Sequence, residues 1–288
     1  MLNGRGVVIG LLLISMSAIG AQPSLDERLE LVSAYFVGQP YELGALGEGV
    51  NGKYNKNPLY RFDAFDCVTY VETVLALALS SNFSEFTKKI NTIRYKNGVV
   101  DFTHRNHFTS IDWNVNNNGI VHDITRTIVN DQDKAFAVEA TAIIDKPSWY
   151  RHFSSQDIKT SGSPKQKEDL AMQLRDAAHQ VNIETSVIHY LPFTTLLDKN
   201  GKMPERIQKQ IPDGSIIEIV RPNWDLTKEI GTHLHISHLG FAFRTHQGLV
   251  FRNASSTLHK VADVPLDQYL QEASKNPTIK GIMVLKVG

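Results

Sequence analysis

The sequence predicts an α+β protein organised around one thiol. Helical periodicity fills the first third of the chain and strand-like alternation fills the last third. The only cysteine, Cys67, heads the most apolar helical segment. Helices first and strands later imply segregated layers rather than repeating βα units. Lys plus Arg and Asp plus Glu balance at 30 each, so charge gives no reason to expect nucleic acid or an anionic membrane as partner.

Residues 1–20 have the features of a secretory signal peptide. Arg5 supplies the charge, 7–14 is mostly apolar, and Ala18-Ile19-Gly20 is a small-x-small cleavage pattern. The apolar run is short for a membrane span. The expected mature chain, 21–288, is then one domain in the periplasm or outside the cell, with no membrane attachment after cleavage. A lone cysteine in an oxidising compartment cannot form an internal disulfide and is flagged as reactive.

The elements follow in order. Ser24 and Glu27 make a capping-box pattern, and Leu25, Leu29, Val32 and Phe36 form a helical stripe ending near Gly38. A turn-rich loop over 38–52 leads toward Cys67. Val68, Val71, Val74, Leu75 and Ala78 have helical spacing, while the residues before Asp66 have none. The helix is therefore expected to begin at Cys67 with Asp66 as its cap. There the thiol meets the positive end of the helix dipole, which favours the thiolate. Phe86, Ile90 and Ile93 mark a helix over 84–93.

From 95 to 123 periodicity is lost, and Arg105, His107, Asp112, Trp113 and several asparagines crowd together. Such a long ordered loop commonly carries binding groups. A strand is expected over 136–144, an exposed polar stretch over 156–166, and a helix carrying Leu170, Leu174, Ala177 and Val181. Strands are expected at 215–220, 236–243, 249–253 and 282–287, with a helix at 266–273. Short connections make the sheet antiparallel.

A nucleophilic thiol needs a base, and the base needs a polar group to fix its ring. Cys67, His238 and Asn253 are the candidate set. If 236–243 and 249–253 form a hairpin, His238 and Asn253 lie side by side, on the face expected to receive the Cys67 helix. Three rival readings stand beside this one. His233, His235 and His238 form a metal site only if a bulge brings them to one face. A non-catalytic module would instead capture glycan fragments through Trp113, Trp149, Tyr190 and the asparagine-rich loop. The same triad also suits a transglutaminase or a protease.

Several segments carry a family resemblance. Gly38-Gln39-Pro40-Tyr41, Asp66-Cys67, Pro212-Asp213-Gly214-Ser215-Ile216, Ser237-His238-Leu239-Gly240-Phe241 and Asn253-Ala254-Ser255 resemble motifs of the NlpC-type cell-wall cysteine hydrolases, a papain-like superfamily. Cys67 is followed by Val-Thr where that family has Ser-Gly, and Asn253 stands where His is commoner. The runs FDCVTYVETVLAL, RNHFTSIDW and ISHLGF resemble the exported N-acetylmuramoyl-L-alanine amidase-like branch, formerly a domain of unknown function.

The resemblance implies a papain-like NlpC-type fold, with the helix-borne cysteine packed on a C-terminal antiparallel sheet. It also implies a long substrate-binding insertion around 95–205, between Cys67 and His238. Cys67 is implied as nucleophile, His238 as base, Asn253 as orienting group and Tyr41 as a neighbour of the thiol that helps bind the oxyanion, with the Cys67 backbone N–H as the other oxyanion donor. Arg105, His107, Asp112 and Trp113 are candidate binding groups in the insertion, with Trp113 as a sugar platform. No metal and no cofactor are expected. The implied reaction is hydrolysis of the amide joining the N-acetylmuramic acid lactyl group to L-alanine in a muropeptide or peptidoglycan fragment. The alternative is a γ-D-glutamyl endopeptidase.

Overall fold

The computed structural model describes residues 23–246 and 248–288. The expected signal peptide and Gln247 of the 247–248 turn lie outside the described residues. Three helices come first: α1 (Leu25–Tyr35), α2 (Cys67–Ala78) and α3 (Phe83–Arg94). The Ser24/Glu27 capping box forms as expected. Residues 95–120 then run through short helical turns, including a π-helical turn at Thr109–Trp113.

Next come β1 (Val121–Asp123), β2 (Val138–Asp145), α4 (Lys146–Arg151), α5 (Pro164–Asp176) and β3 (Ile183–Pro192). The C-terminal part supplies β4 (Ser215–Leu226), β5 (Thr232–Thr245), β6 (Gly248–Ser255), β7 (Lys260–Pro265), α6 (Leu266–Ala273) and β8 (Gly281–Val287).

The strands form one sheet in the order β2-β3-β8-β4-β5-β6-β7, with β1 paired to β8. The pairs are antiparallel. Alternation sorts β4 and β5 onto two cores. Ile216, Val220, Leu239, Phe241 and Phe243 meet α1, α2 and α3 on one face. Ile217, Ile219, Ala242 and Phe251 meet α6 on the other. Residues 69–78 of α2 are all buried, whereas Cys67 and Val68 at its head are partly exposed. The helix is thus fixed along its body while its first turn reaches the surface.

A bulge interrupts β5. Ile219 pairs with His238 and Val220 with Ile236, so Ser237 is the extra residue. It resets parity, which lets Ile236 and Leu239 share a core despite their odd spacing. The sequence reading lacks β1, β3, β7 and α4. It also ends the exposed stretch late, since Ser163 caps α5 from Pro164 onward. β7 is a six-residue edge strand that ends on Pro265, and α4 also has only six residues, too few to show a period.

Candidate active site

Asp66 caps α2 as the sequence predicts. Its Oδ1 accepts the Thr69 N–H at 2.8 Å, and Thr69 Oγ1 accepts the Asp66 N–H at 3.0 Å. This reciprocal box holds the first turn rigid beneath Cys67. The thiol charge does not follow the dipole argument. Burial and the adjacent Asp66 carboxylate push Cys67 up to about 12, against the opposing pull of backbone N–H groups at Leu239, Val68 and Cys67 itself. The expectation of a ready thiolate is corrected, because a half-turn of dipole is weaker than desolvation beside a negative charge.

His238 Nε2 lies 2.9 Å from Asn253 Oδ1. An amide oxygen only accepts, so Nε2 carries the proton and Nδ1 is left as the basic nitrogen. Asn253 is fully buried, and its Nδ2 donates to the Phe251 carbonyl. Gly240 makes room for this pair. A Cβ there would come within 2.7 Å of both the Arg252 carbonyl oxygen and Asn253 Cβ.

The pair lies on the face opposite to the one expected. His238 contacts Phe251 edge-on at 5.8 Å and stacks on Tyr269 of α6 at 6.1 Å and 20°. Ala254, the neighbour of Asn253, joins the α2 side instead. Burial holds His238 below its ordinary value of 6.5, while Asn253 and Asp66 oppose that shift. The sulfur's backbone contact to Leu239 and its electrostatic influence on Tyr269 put the thiol at the same end of the sheet. Tyr269 was not found from the sequence. It lies on the expected 266–273 helix, and only tertiary packing sets its ring against the imidazole.

The other candidates separate. Tyr41 is held up to about 12 by burial, with the Cys67 and Asp66 charges adding to the effect, and it packs against the same core cluster as Cys67. Arg105, His107 and Trp113 line the cleft that opens on Cys67, together with Leu43, Asn106 and Leu239. Trp113 is only 1% exposed and donates its indole N–H to Glu72 Oε1 at 3.2 Å. Glu72 in turn holds the buried Arg94 at 2.6 Å. Trp113 is therefore the floor of the cleft and not a sugar platform, because a buried ion pair anchors its polar edge.

His107 places Nε2 2.8 Å from the Phe102 carbonyl, and burial together with Arg105 takes it down to about 3. It is a neutral wall whose Nδ1 has no hydrogen-bond partner among the described residues. Asp112 lies outside this cleft and binds Lys146 at 2.7 Å.

His233 faces Asp225 at 3.8 Å, and His235 is buried against the Ser186 carbonyl. The bulge that the metal reading required is present. Even so, among the described residues no group of three His, Cys, Asp or Glu side chains could hold a metal ion.

Residues 31–279 match the AmiA-like family, described as N-acetylmuramoyl-L-alanine amidase-like. The chain belongs to this family. Among solved structures it is similar to a Legionella pneumophila (strain Philadelphia 1) protein of the DUF1460 family, with 42% identity and a TM-score of 0.94 over 99% of this chain and 94% of that one. It is also similar to an N-acetylmuramoyl-L-alanine amidase from Bacteroides uniformis, with 26% identity and a TM-score of 0.63 over 91% and 98%. No curated protein sequence matches. The mixed α/β architecture, the antiparallel sheet and an amidase-like hydrolase character acting on peptidoglycan-derived material accord with the family. Among the described residues no helix is long and apolar enough to cross a membrane.

Proposed function

We propose that the chain is an exported cysteine amidase. It hydrolyses the amide between the lactyl carbonyl of N-acetylmuramic acid and L-alanine in small peptidoglycan fragments. The observation that supports this best is the 2.9 Å contact between His238 and Asn253, which leaves Nδ1 free to act as base. Neutral imidazole and neutral thiol are the resting forms, given the directions of their shifts. His238 takes the thiol proton as sulfur adds to the lactyl carbonyl. The oxyanion is met by N–H groups at the head of α2, where the first turn lacks intrahelical partners. His238 then gives that proton to the departing L-alanine amine, leaving a thioester. Water, deprotonated by the same nitrogen, attacks the thioester and releases the lactyl acid and the free thiol.

The test incubates mature protein with a disaccharide-tetrapeptide and reads the products by mass spectrometry. Free disaccharide with intact tetrapeptide is expected. Disaccharide still carrying L-alanine and D-glutamate would replace the amidase with the endopeptidase. No cleavage of any muropeptide would favour a non-catalytic binding module.

A further inference from the structure

A second cavity, of about 240 Å³, opens beside the thiol cleft. The two share Arg105, Asn106 and His107 as a common wall. Its far side comes from α4, the segment before β3 and the start of β3, through Lys146, Tyr150, Asn182 and Glu184.

The polar groups around this cavity are unevenly satisfied. Lys146 is held by Asp112 at 2.7 Å and by Glu184 at 2.6 Å, so those three charges are engaged with one another. His104 faces Asp101 at 3.6 Å. Among the described residues Arg105 is held only by the Leu46 carbonyl at 3.4 Å and by Glu48 at 3.8 Å, both long contacts. Burial raises the Glu48 carboxyl, with Arg105 opposing that shift. Lys96 has no side-chain partner among the described residues. Tyr150 is only 3% exposed and lines the cavity, and its hydroxyl has no hydrogen bond among the described residues. The excess is therefore of cations and hydrogen-bond donors, with His107 Nδ1 as an acceptor on the shared wall.

We propose that this cavity is the subsite for the acidic peptide released as leaving group. A carboxylate within two residues of the scissile amide would sit between Arg105 and Lys96, with Tyr150 donating to the same peptide. This rests on the amidase reading and assigns the peptide end of its substrate. The two ends of a muropeptide differ in the required sense: the disaccharide is uncharged, and the stem bears free carboxylates. The thiol cleft, with Leu43, Val68 and Leu239 in its lining, has no comparable excess of cations. Two residues of extended chain reach about 7 Å, enough to cross a shared wall of single side chains. Arg105 suits the task because its planar fork matches a carboxylate.

The test is calorimetric and independent of turnover. Cys67→Ala protein is titrated with the free stem tetrapeptide and with the same peptide carrying a carboxamide at D-glutamate. The acid is expected to bind about tenfold or more tighter than the amide, as for loss of a charge-assisted hydrogen bond. Adding Arg105→Ala should abolish the difference, and Lys96→Gln, at an exposed position with no fold role, should reduce it. Tyr150→Phe should weaken both peptides by a similar factor. Equal affinity for acid and amide, an unchanged ratio in both charge variants, or no tetrapeptide binding at millimolar concentration would each overturn the assignment. Wild-type cleavage is measured alongside. A chain that cuts muropeptides but ignores the carboxylate refutes only the subsite, and one that binds the acid selectively but cuts nothing refutes only the amidase.

Discussion

Glu218 offers a measurable link between the sheet and the cleft. It lies on β4, fully buried on the face toward α2. Its Oε2 accepts from Asn114 Nδ2 at 3.1 Å, while Oε1 has no partner. Burial raises its carboxyl from 4.5 to about 8, with the Asn114 hydrogen bond opposing and the Asp123 charge adding. The sign follows from linkage. The folded state holds a proton that the unfolded chain releases above 4.5, so stability is greatest below 4.5 and falls as pH rises toward 8. At about 1.4 kcal/mol per pH unit, the interval from 4.5 to 7 corresponds to roughly 3 kcal/mol. Glu218→Gln keeps the shape, leaves Asn114 an amide oxygen to donate to, and cannot ionise. It should therefore be more stable than wild type at pH 7 by up to about 3 kcal/mol, with the two converging near pH 4.5. Urea unfolding at pH 5, 7 and 9 reads this directly. Parallel stability–pH curves for the two proteins would refute the buried-acid reasoning. Because Asn114 follows the turn that carries Trp113, ionised Glu218 should also loosen the floor of the thiol cleft, seen as a fall in indole fluorescence intensity or a red shift above pH 8.

Cys67→Ala should lose turnover while keeping its unfolding midpoint, and His238→Ala should lower kcat by about 10²- to 10⁴-fold. Asn253→Ala should cost less because it moves no proton, and a larger loss than His238→Ala would contradict the assigned roles. In wild type, kcat/KM should rise with pH through an acid limb below 6.5, since protonated His238 cannot accept the thiol proton. Tyr269→Ala should move that limb up toward 6.5 by letting water reach the imidazole, whereas Tyr269→Phe should not; an unmoved limb in both would remove Tyr269 from the site. Gly240→Ala should destabilise the chain by about 1–3 kcal/mol and disturb the His238–Asn253 pair, visible as a lower urea midpoint together with reduced kcat.

Some of the site was legible because it is written in neighbouring residues. Asp66 and Thr69 lie three apart, and the apolar spacing from Val68 to Ala78 makes one helix, so the position of Cys67 at its head needs no tertiary information. The alternation of Leu239, Phe241 and Phe243 likewise defines a strand face, and two strands with a short turn put His238 near Asn253. What those faces pack against depends on distant segments. α6 covers the His238 side, so Tyr269 packs on the imidazole. Trp113 has polar neighbours in sequence, yet Glu72 and Arg94 arrive from other helices and bury it. The resting charge of Cys67 also escapes local reading: the helix dipole is visible in the sequence, whereas the burial that opposes it, beside the Asp66 charge, is set by tertiary packing. The second cavity is of the same kind. Arg105, Tyr150 and Asn182 are far apart along the chain, and only the folded chain brings a cation and a phenol to one cavity.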